Sequence, residues 1–217
     1  MSSIIVLCDI FMKPIFSRNE DVDKIAFLNW RISKGDHILN LTNIADGFLL
    51  SAIELSKHAI DNNQDKRADI LIFPIFTNAN HGIELYLKSL NWILNKLTNS
   101  SRQIEGKHNL KQIYQTLKSK FKQYSGSVTF KHFKEATKEL ESYINELFDK
   151  IQATHENDKM DFSRYSLDND YIDHFYVLEF GTVNIDLENL LLRLEVIKHQ
   201  LDHLFEYLYY FELNQEP

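Results

Sequence analysis

Two pairs of acidic and imidazole side chains have a spacing that could chelate a metal ion. Glu54 and His58 are four residues apart, as are Glu195 and His199, and His203 follows after four more. On an α-helix, side chains four residues apart lie one above the other, so each pair could hold one ion. Carboxylate-bridged di-iron bundles use Glu-x-x-His instead. Polar positions beside an apolar helical seam explain these residues better, and we expect no metal and no other cofactor.

Several enzyme classes lack their signatures in this chain. It has no GxxxxGK[ST] phosphate loop, no GxGxxG dinucleotide motif, no GxSxG nucleophile turn and no kinase signature. Its single cysteine, Cys8, excludes an intramolecular disulfide and a cysteine-rich zinc site. No stretch approaches the roughly 20 apolar residues of a membrane span. We therefore expect a cytoplasmic protein without a membrane partner.

A more informative group of polar residues is spread over three short segments, residues 68–90, 105–117 and 162–170. In the first segment, a glutamate precedes a lysine by four residues, the favourable order for an ion pair along a helix. That pair could support its own helix or form a buried bridge between helices. The residues that define the segments are His81, Glu84, Leu85 and Lys88, then Gly106, His108, Asn109 and Leu110, then Phe162, Arg164, Tyr165 and Asp168.

This combination resembles a HEPN-like helical domain, from the higher-eukaryote and prokaryote nucleotide-binding superfamily. It resembles most the uncharacterised bacterial and phage-defence members. There, an apolar helix with a histidine and a Glu-Leu-x-x-Lys pattern precedes a Gly-His-Asp-Leu-like helix start. An Arg-Tyr segment with a following acid then precedes the last long helix. The order and spacing agree over about residues 65–212. The resemblance implies a prokaryotic defence or toxin–antitoxin protein, in which His81, Glu84, Lys88, Tyr165 and Asp168 have structural or supporting roles.

The resemblance also implies a catalytic pair. Active HEPN ribonucleases carry an arginine and a histidine separated by four to six residues, and they cut RNA without metal, usually from a site shared by two protomers. Arg102 and His108 have five residues between them. An imidazole can exchange a proton with a ribose 2′-hydroxyl or a leaving 5′-oxygen, and a guanidinium can hold the phosphate. The competing interpretation makes His108 a helix-capping residue bonded inside the bundle.

Basic side chains in the same segments could bind a nucleotide phosphate. Arg164 could do so, or it could anchor its turn through ion pairs with Glu156, Asp158 or Asp168. The stretch 102–134 has eight basic residues and one acid in a chain of net charge −7, and its Lys107 and Lys111 are candidate phosphate ligands. The alternative is a solvated lysine-rich helix face. The overall negative charge argues against nonspecific polyanion binding by the whole molecule, whereas the basic stretch could contact RNA phosphates or an acidic partner helix. We expect no DNA partner.

Helices must position these residues. Apolar side chains recur every three or four residues in four long segments, 38–59, 76–97, 130–151 and 187–211, and in a shorter one, 108–121. Residues 161–184 break the pattern, and their aromatic content favours a short β-hairpin. The sequence predicts an all-α bundle of about four long helices plus shorter ones, with that hairpin before the last long helix. Residues 36–217 form this domain, and residues 1–35 precede it with undecided packing.

The last long helix has an apolar seam of eight positions that ends in an aromatic run at 207–211. This seam is longer than a small bundle core requires, so we expect part of it to contact a second protomer or a partner protein. The alternative is that the other helices cover all of it. Three functions stay open: a ribonuclease, a HEPN-like sensor or scaffold module without catalysis, and an unrelated bundle that binds a metal or ligand through residues 54, 58, 195 and 199.

Overall fold

Helices make up almost all of the regular structure of this chain. The structure, a computed structural model, describes residues 13–101, 104, 106–153, 161–179 and 181–214, and these contain no β-strand. The all-α prediction is therefore confirmed. The helices are α1 (His37–Asp61), α2 (Ala68–Leu97), α3 (Leu110–Gln123), α4 (Phe130–Ala136), α5 (Lys138–Gln152), α6 (Phe175–Leu178) and α7 (Leu187–Glu206), with a 3₁₀ turn at Val22–Lys24 and a π-helical turn at Tyr207–Leu213.

The central element is α2, which packs along α1 and also contacts α3 and α7. Its buried face carries the predicted stripe of apolar residues and extends it, so nearly every residue from 79 to 95 is buried. The helix begins at Ala68, earlier than the stripe indicates, so Pro74 lies inside it and not near its start. Proline lacks the N–H that would bond to the carbonyl of Ile70, and it is tolerated here on an exposed position.

The prediction of one continuous helix over 130–151 is wrong, because the chain breaks at Thr137 between α4 and α5. The Thr137 hydroxyl lies 2.9 Å from the carbonyl oxygen of Phe133 and 3.0 Å from the hydroxyl of Tyr114. The break lets Phe133 of α4 stack on Phe121 of α3, with ring centroids 4.1 Å apart. The apolar stripe is buried from Phe133 onward, so the spacing of three or four residues between buried side chains continues across the break.

The predicted β-hairpin is not confirmed. Residues 161–179 contain a single antiparallel bridge, between Leu167 and Asp173, and no strand. The Asp168 carboxylate accepts hydrogen bonds from the N–H groups of Asp170 and Ile172, at 2.9 and 2.8 Å. A side chain therefore closes the turn at the position where the backbone hydrogen bonds of a β-hairpin would begin. A two-stranded ribbon with no further strand to pair with is at best marginally stable, which favours this compact turn.

Part of the N-terminal segment lies on α1. The Asn43 amide donates to the carbonyl oxygen of Arg31 at 2.5 Å, and Asn40 exchanges two hydrogen bonds with the backbone of Ser33, both 2.8 Å. Before these contacts, Phe27 and Trp30 pack on each other with centroids 5.5 Å apart, and both are exposed. Two asparagines on the first turns of α1 therefore attach residues 31–33 to the helical domain.

Among the described residues, α1 is the one helix that is long and apolar enough to cross a membrane by length and composition. The prediction that no segment has this character is therefore wrong for α1. In its most apolar 18-residue stretch, 33% of the residues are buried inside the chain. The helix contacts α2 and α7, and its Asp46 carboxylate lies 2.6 Å from the Lys198 ammonium of α7. An interior helix passes the same apolarity test as a membrane span.

The helices α1 and α2 lie close together at Gly82, and this contact gives a testable prediction. A Cβ atom at Gly82 would lie 2.8 Å from Leu49 Cγ and 3.0 Å from the carbonyl oxygen of Ala45, whereas one at Gly47 would meet nothing within 4 Å. We expect Gly82→Ala to lower the free energy of unfolding by about 1–3 kcal/mol through overpacking. The matched control Gly47→Ala should raise it by roughly 0.5–1 kcal/mol, because alanine favours a helix interior. Urea unfolding followed by circular dichroism measures both, and equal effects would contradict this account.

Candidate functional site

The three segments singled out in the sequence meet beside the middle of α2. Glu84 Oε1 lies 2.9 Å from His108 Nδ1, which belongs to the chain just before α3. The same oxygen accepts a hydrogen bond from the Lys88 ammonium at 2.8 Å. One turn before His81, the Thr77 hydroxyl lies 3.0 Å from the carbonyl oxygen of Ser163. The segment 162–170 is thereby attached to the same helix.

His108 is placed by the start of α3, but it is not the capping residue. The cap is Asn109, whose side-chain oxygen accepts the N–H of Gln112 at 3.0 Å. The interpretation of His108 as a helix cap is therefore wrong. Leu110 is buried and Asn109 caps the helix, and His108, the residue before them, lies at the surface. The His108 side chain is 81% exposed and touches Glu84 with one ring nitrogen.

The Glu84–Lys88 pair is buried, but both residues belong to α2, so the pair supports its own helix and does not bridge two helices. Their side chains are only 12% and 7% exposed. A buried ion pair costs desolvation free energy on both sides, and further hydrogen bonds offset part of that cost. The bond to His108 is one of these. An ionised carboxylate can only accept, so it receives the Nδ1–H of His108 and leaves Nε2 directed away from it.

His81 lies one turn before Glu84 and belongs to the same electrostatic environment. Its ring meets the Phe48 ring edge-on, with centroids 4.5 Å apart. Burial lowers the pKa of His81, and the charge of Glu84 opposes this effect. The positive charges of Arg164 and Lys88 lower that pKa further. His81 is therefore mainly a neutral imidazole at pH 7.

Arg164 is half exposed and forms an ion pair with Asp161. Its guanidinium carbon also lies 5.7 Å from the ring centroid of Tyr165. The ion-pair interpretation of Arg164 thus holds with a partner other than those proposed, since Asp168 closes its own turn. Glu156 and Asp158 lie outside the described residues. Arg164 directly follows Ser163, whose carbonyl oxygen the Thr77 hydroxyl contacts one turn before His81.

The other candidate residues are placed less centrally. Lys107 is exposed directly before His108. The Lys111 ammonium lies 5.7 Å from the centroid of the Phe148 ring of α5, so this side chain extends toward α5. Arg102 lies outside the described residues. The structure therefore joins His108 to Glu84 and, through that carboxylate, to Lys88, and it leaves the position of the predicted catalytic partner open.

The second set of candidate ligands is bridged by a lysine. The Lys57 ammonium lies 3.3 Å from the carboxylates of both Glu54 and Glu195, and so links α1 to α7. The rings of His199 and His203 stack with centroids 6.4 Å apart on the exposed side of α7. Within the described ranges, no three His, Cys, Asp or Glu side chains are grouped closely enough to hold a metal ion.

No family model matches this chain, and no curated protein or solved structure matches it either. Function must therefore be inferred from the site itself.

Sequence reasoning missed two residues that build the site. Thr77 holds the backbone of Ser163, and Asp161 neutralises part of the Arg164 charge. Thr77 lies one helical turn before His81, so it shares a face of α2 with that residue, and this spacing was a usable signal. Nothing local marks Asp161, because its role depends on the tertiary path of the turn.

The buried pair predicts a strong asymmetry between single and double substitutions. Glu84→Gln leaves the Lys88 charge buried without a counter-charge, and we expect it to lower the free energy of unfolding by about 3–5 kcal/mol. Glu84→Leu combined with Lys88→Met removes both charges and should cost less than that single change. His108→Ala removes one hydrogen bond from the buried Glu84 carboxylate and should lower the free energy of unfolding by about 1.5–3 kcal/mol, less than Glu84→Gln does. Urea denaturation separates these cases, and a double variant as unstable as Glu84→Gln would refute the pairing.

The lowered pKa of His81 predicts a pH dependence of stability. Because the folded chain binds a proton at His81 less readily than the unfolded chain, the free energy of unfolding should fall as the pH drops below the ordinary histidine value of 6.5. His81→Gln should remove this part of the decrease. A nitrogen-detected NMR titration checks the cause directly. The His81 midpoint should lie below that of the urea-unfolded chain, and a midpoint at or above it would be inconsistent with burial as the dominant effect.

Proposed function

We propose that this protein is a HEPN-like, metal-independent endoribonuclease of a prokaryotic defence or toxin–antitoxin system. In this proposal, the helices form the HEPN-like bundle of four long helices. The supporting observation is the geometry of His108, an exposed imidazole held by a buried carboxylate. A carboxylate that fixes one ring nitrogen leaves the other in a defined orientation, as required of a residue that transfers protons.

The proposed reaction is cleavage of the RNA backbone by its own 2′-hydroxyl. Nε2 of His108 takes the hydroxyl proton, and the 2′-oxygen forms a bond to phosphorus. The bond from phosphorus to the 5′-oxygen breaks, and the leaving oxygen takes up a proton. The products are a 2′,3′-cyclic phosphate and a 5′-hydroxyl. A protonated histidine from a second protomer would supply that proton, since a homodimer brings two copies of His108 to one cleft.

Cations near His108 would stabilise the negative charge on the phosphate oxygens. The candidates within the described residues are Arg164, which follows the residue bonded to Thr77 of α2, and Lys107, which directly precedes His108. Both are exposed, so a phosphate could approach them from solvent. Arg102 belongs to the same proposal through its spacing from His108. A guanidinium can donate two parallel hydrogen bonds to a phosphate, which makes Arg164 and Arg102 the expected clamps.

A contact through the last long helix is part of this proposal. The chain itself buries six seam positions of the segment 187–211, from Leu190 to Leu208. Four other apolar residues there are exposed: Leu192, Val196, Tyr210 and Phe211. We propose that these residues contact a second copy or a partner protein. We also propose a cytoplasmic location, which the single cysteine supports.

The ion pair of Arg164 favours a second candidate function. Because Asp161 already compensates that charge, the site could be a structural centre of a HEPN-like sensor or scaffold module. Such a module would act through protein–protein contacts in a defence complex, and its polar centre would hold three segments in place.

Cleavage of RNA by the purified protein tests the choice between the two functions. We expect a fluorescent single-stranded RNA to be cut in the presence of EDTA, with a 2′,3′-cyclic phosphate on the 5′ fragment. His108→Ala should reduce the rate by about 10²–10⁴-fold, as for removal of a general acid or base. His132→Ala is the matched control, because His132 is equally exposed but lies on α4.

Induced expression provides the cellular counterpart. RNA fragments that vanish with folded His108→Ala support the ribonuclease. Intact RNA, with both proteins well expressed and the purified protein inactive, supports the sensor or scaffold module.

A further inference from the structure

A large groove adjoins the polar site on α2. It lies between the first three turns of α2, α5, α6 and the segment 181–190, and its volume is about 990 Å³. This volume is at the upper end of the roughly 300–1,000 Å³ typical of pockets that bind organic ligands. The groove is open along one side, so a chain-like ligand could place one unit in it while the rest continues outside.

Aromatic rings form the apolar wall of the groove, and they hold one another in place. Phe73 meets Tyr176, Phe76 meets Phe162, and Phe162 meets Phe175, each edge-to-face with centroids 5.5 Å apart. Phe73 and Tyr176 are only partly buried, and the Tyr176 ring also stacks on that of His174, with centroids 5.9 Å apart. Such rings accept a flat aromatic ligand by stacking without reference to its hydrogen-bonding pattern.

Charges around the groove cancel. Its lining contains three cationic and three anionic side chains: Lys66, Lys150 and Arg193, and Asp69, Glu146 and Asp186. Arg193 is ion-paired with Glu139 and Glu146, and the Lys150 ammonium lies 2.6 Å from a Glu179 carboxylate oxygen. The groove therefore does not attract a phosphate in the way that an uncompensated basic cleft would. Its asparagine amides, from residues 63, 184 and 189, can instead exchange hydrogen bonds with the edge of a base.

Two connections join the groove to the polar site. One runs along the chain, and the other is a hydrogen bond. Phe162 lies in the groove wall, and Arg164 follows it two residues later. On the opposite side, the Tyr143 hydroxyl donates to Asn80 Oδ1 at 2.8 Å, and Asn80 directly precedes His81. Along α2, His81 is five positions after Phe76, which corresponds to about 7.5 Å of helical rise.

We propose, on the basis of the ribonuclease function proposed above, that this groove binds the base of a nucleotide adjoining the scissile phosphate. The base packs against the edge-to-face pair of Phe73 and Tyr176, stacking on one ring and meeting the edge of the other. The phosphate stays outside, at Arg164 and His108. Base binding then selects where the strand is cut, while the polar site performs the reaction. Stacking allows the groove to bind any of the bases, so a nucleotide with a base should bind more tightly than an abasic one. Purines should bind more tightly than pyrimidines, because purines present more ring surface.

Binding of an uncleavable strand tests this inference separately from catalysis. The probe is a fluorescent 2′-O-methyl RNA of ten nucleotides, which lacks the attacking hydroxyl, and a series in which one abasic residue is moved along it. Fluorescence anisotropy measures the dissociation constants. We expect one abasic position to weaken binding to the wild-type chain by about 5- to 100-fold.

Phe73→Leu and Tyr176→Leu remove the stacking faces while keeping an apolar side chain, so the fold is retained. Each should weaken binding of the intact strand and lose the penalty at that abasic position. Ile70→Leu is the matched control, since Ile70 is 73% exposed on α2 and lies outside the groove lining. Circular dichroism confirms that each variant is folded.

The outcomes separate the two proposals. If RNA is cut but no abasic position matters, or the groove variants bind like the wild type, the groove inference is wrong and the nuclease stands. If the groove variants lose binding while RNA stays intact, the base-binding groove stands and the nuclease is wrong. If the strand does not bind at all, both are overturned.

Discussion

The ammonium of Lys88 is buried in the middle of α2, and Glu84 is the group that compensates its charge. Such a pair is tolerated only when the remaining hydrogen-bonding capacity of both partners is used. Glu84 meets this requirement through the chain that leads into α3. The same constraint that makes the interior stable therefore determines where the imidazole of His108 lies and which of its nitrogens faces outward.

The long helix α2 carries several features of the site at successive positions along its axis. Its first turns line the aromatic groove, its middle carries the histidine and the buried pair, and its tightest contact with α1 is at Gly82. A rigid helix keeps these features at set distances, because each residue adds about 1.5 Å of rise. The polar site and the groove are thus positioned relative to each other by one element, while the connecting turns adjust around it.

Periodicity predicted the helices well, because apolar residues every three or four positions are a local signal. Periodicity did not indicate the break at Thr137, since threonine fits the stripe and its hydroxyl bonds to that of Tyr114, 23 residues earlier. The Glu84–Lys88 pair was visible as an i, i+4 spacing. Its bond to His108 spans 24 residues, and only the tertiary fold brings those two side chains together. The groove has walls from four separate parts of the chain, so no local pattern could indicate it.

The π-helical turn at residues 207–213 changes what the end of the last helix presents to its surroundings. A π-helix bonds each residue to the fifth along the chain, so a turn holds more residues than in an α-helix and the angular phase slips. Leu208 stays inside, whereas Phe211, the next position of the seam, is 59% exposed. Substitution and deletion are therefore different kinds of change in this segment. A substitution alters one side chain, whereas removing one residue can restore α winding and rotate all the following aromatic rings to new sides.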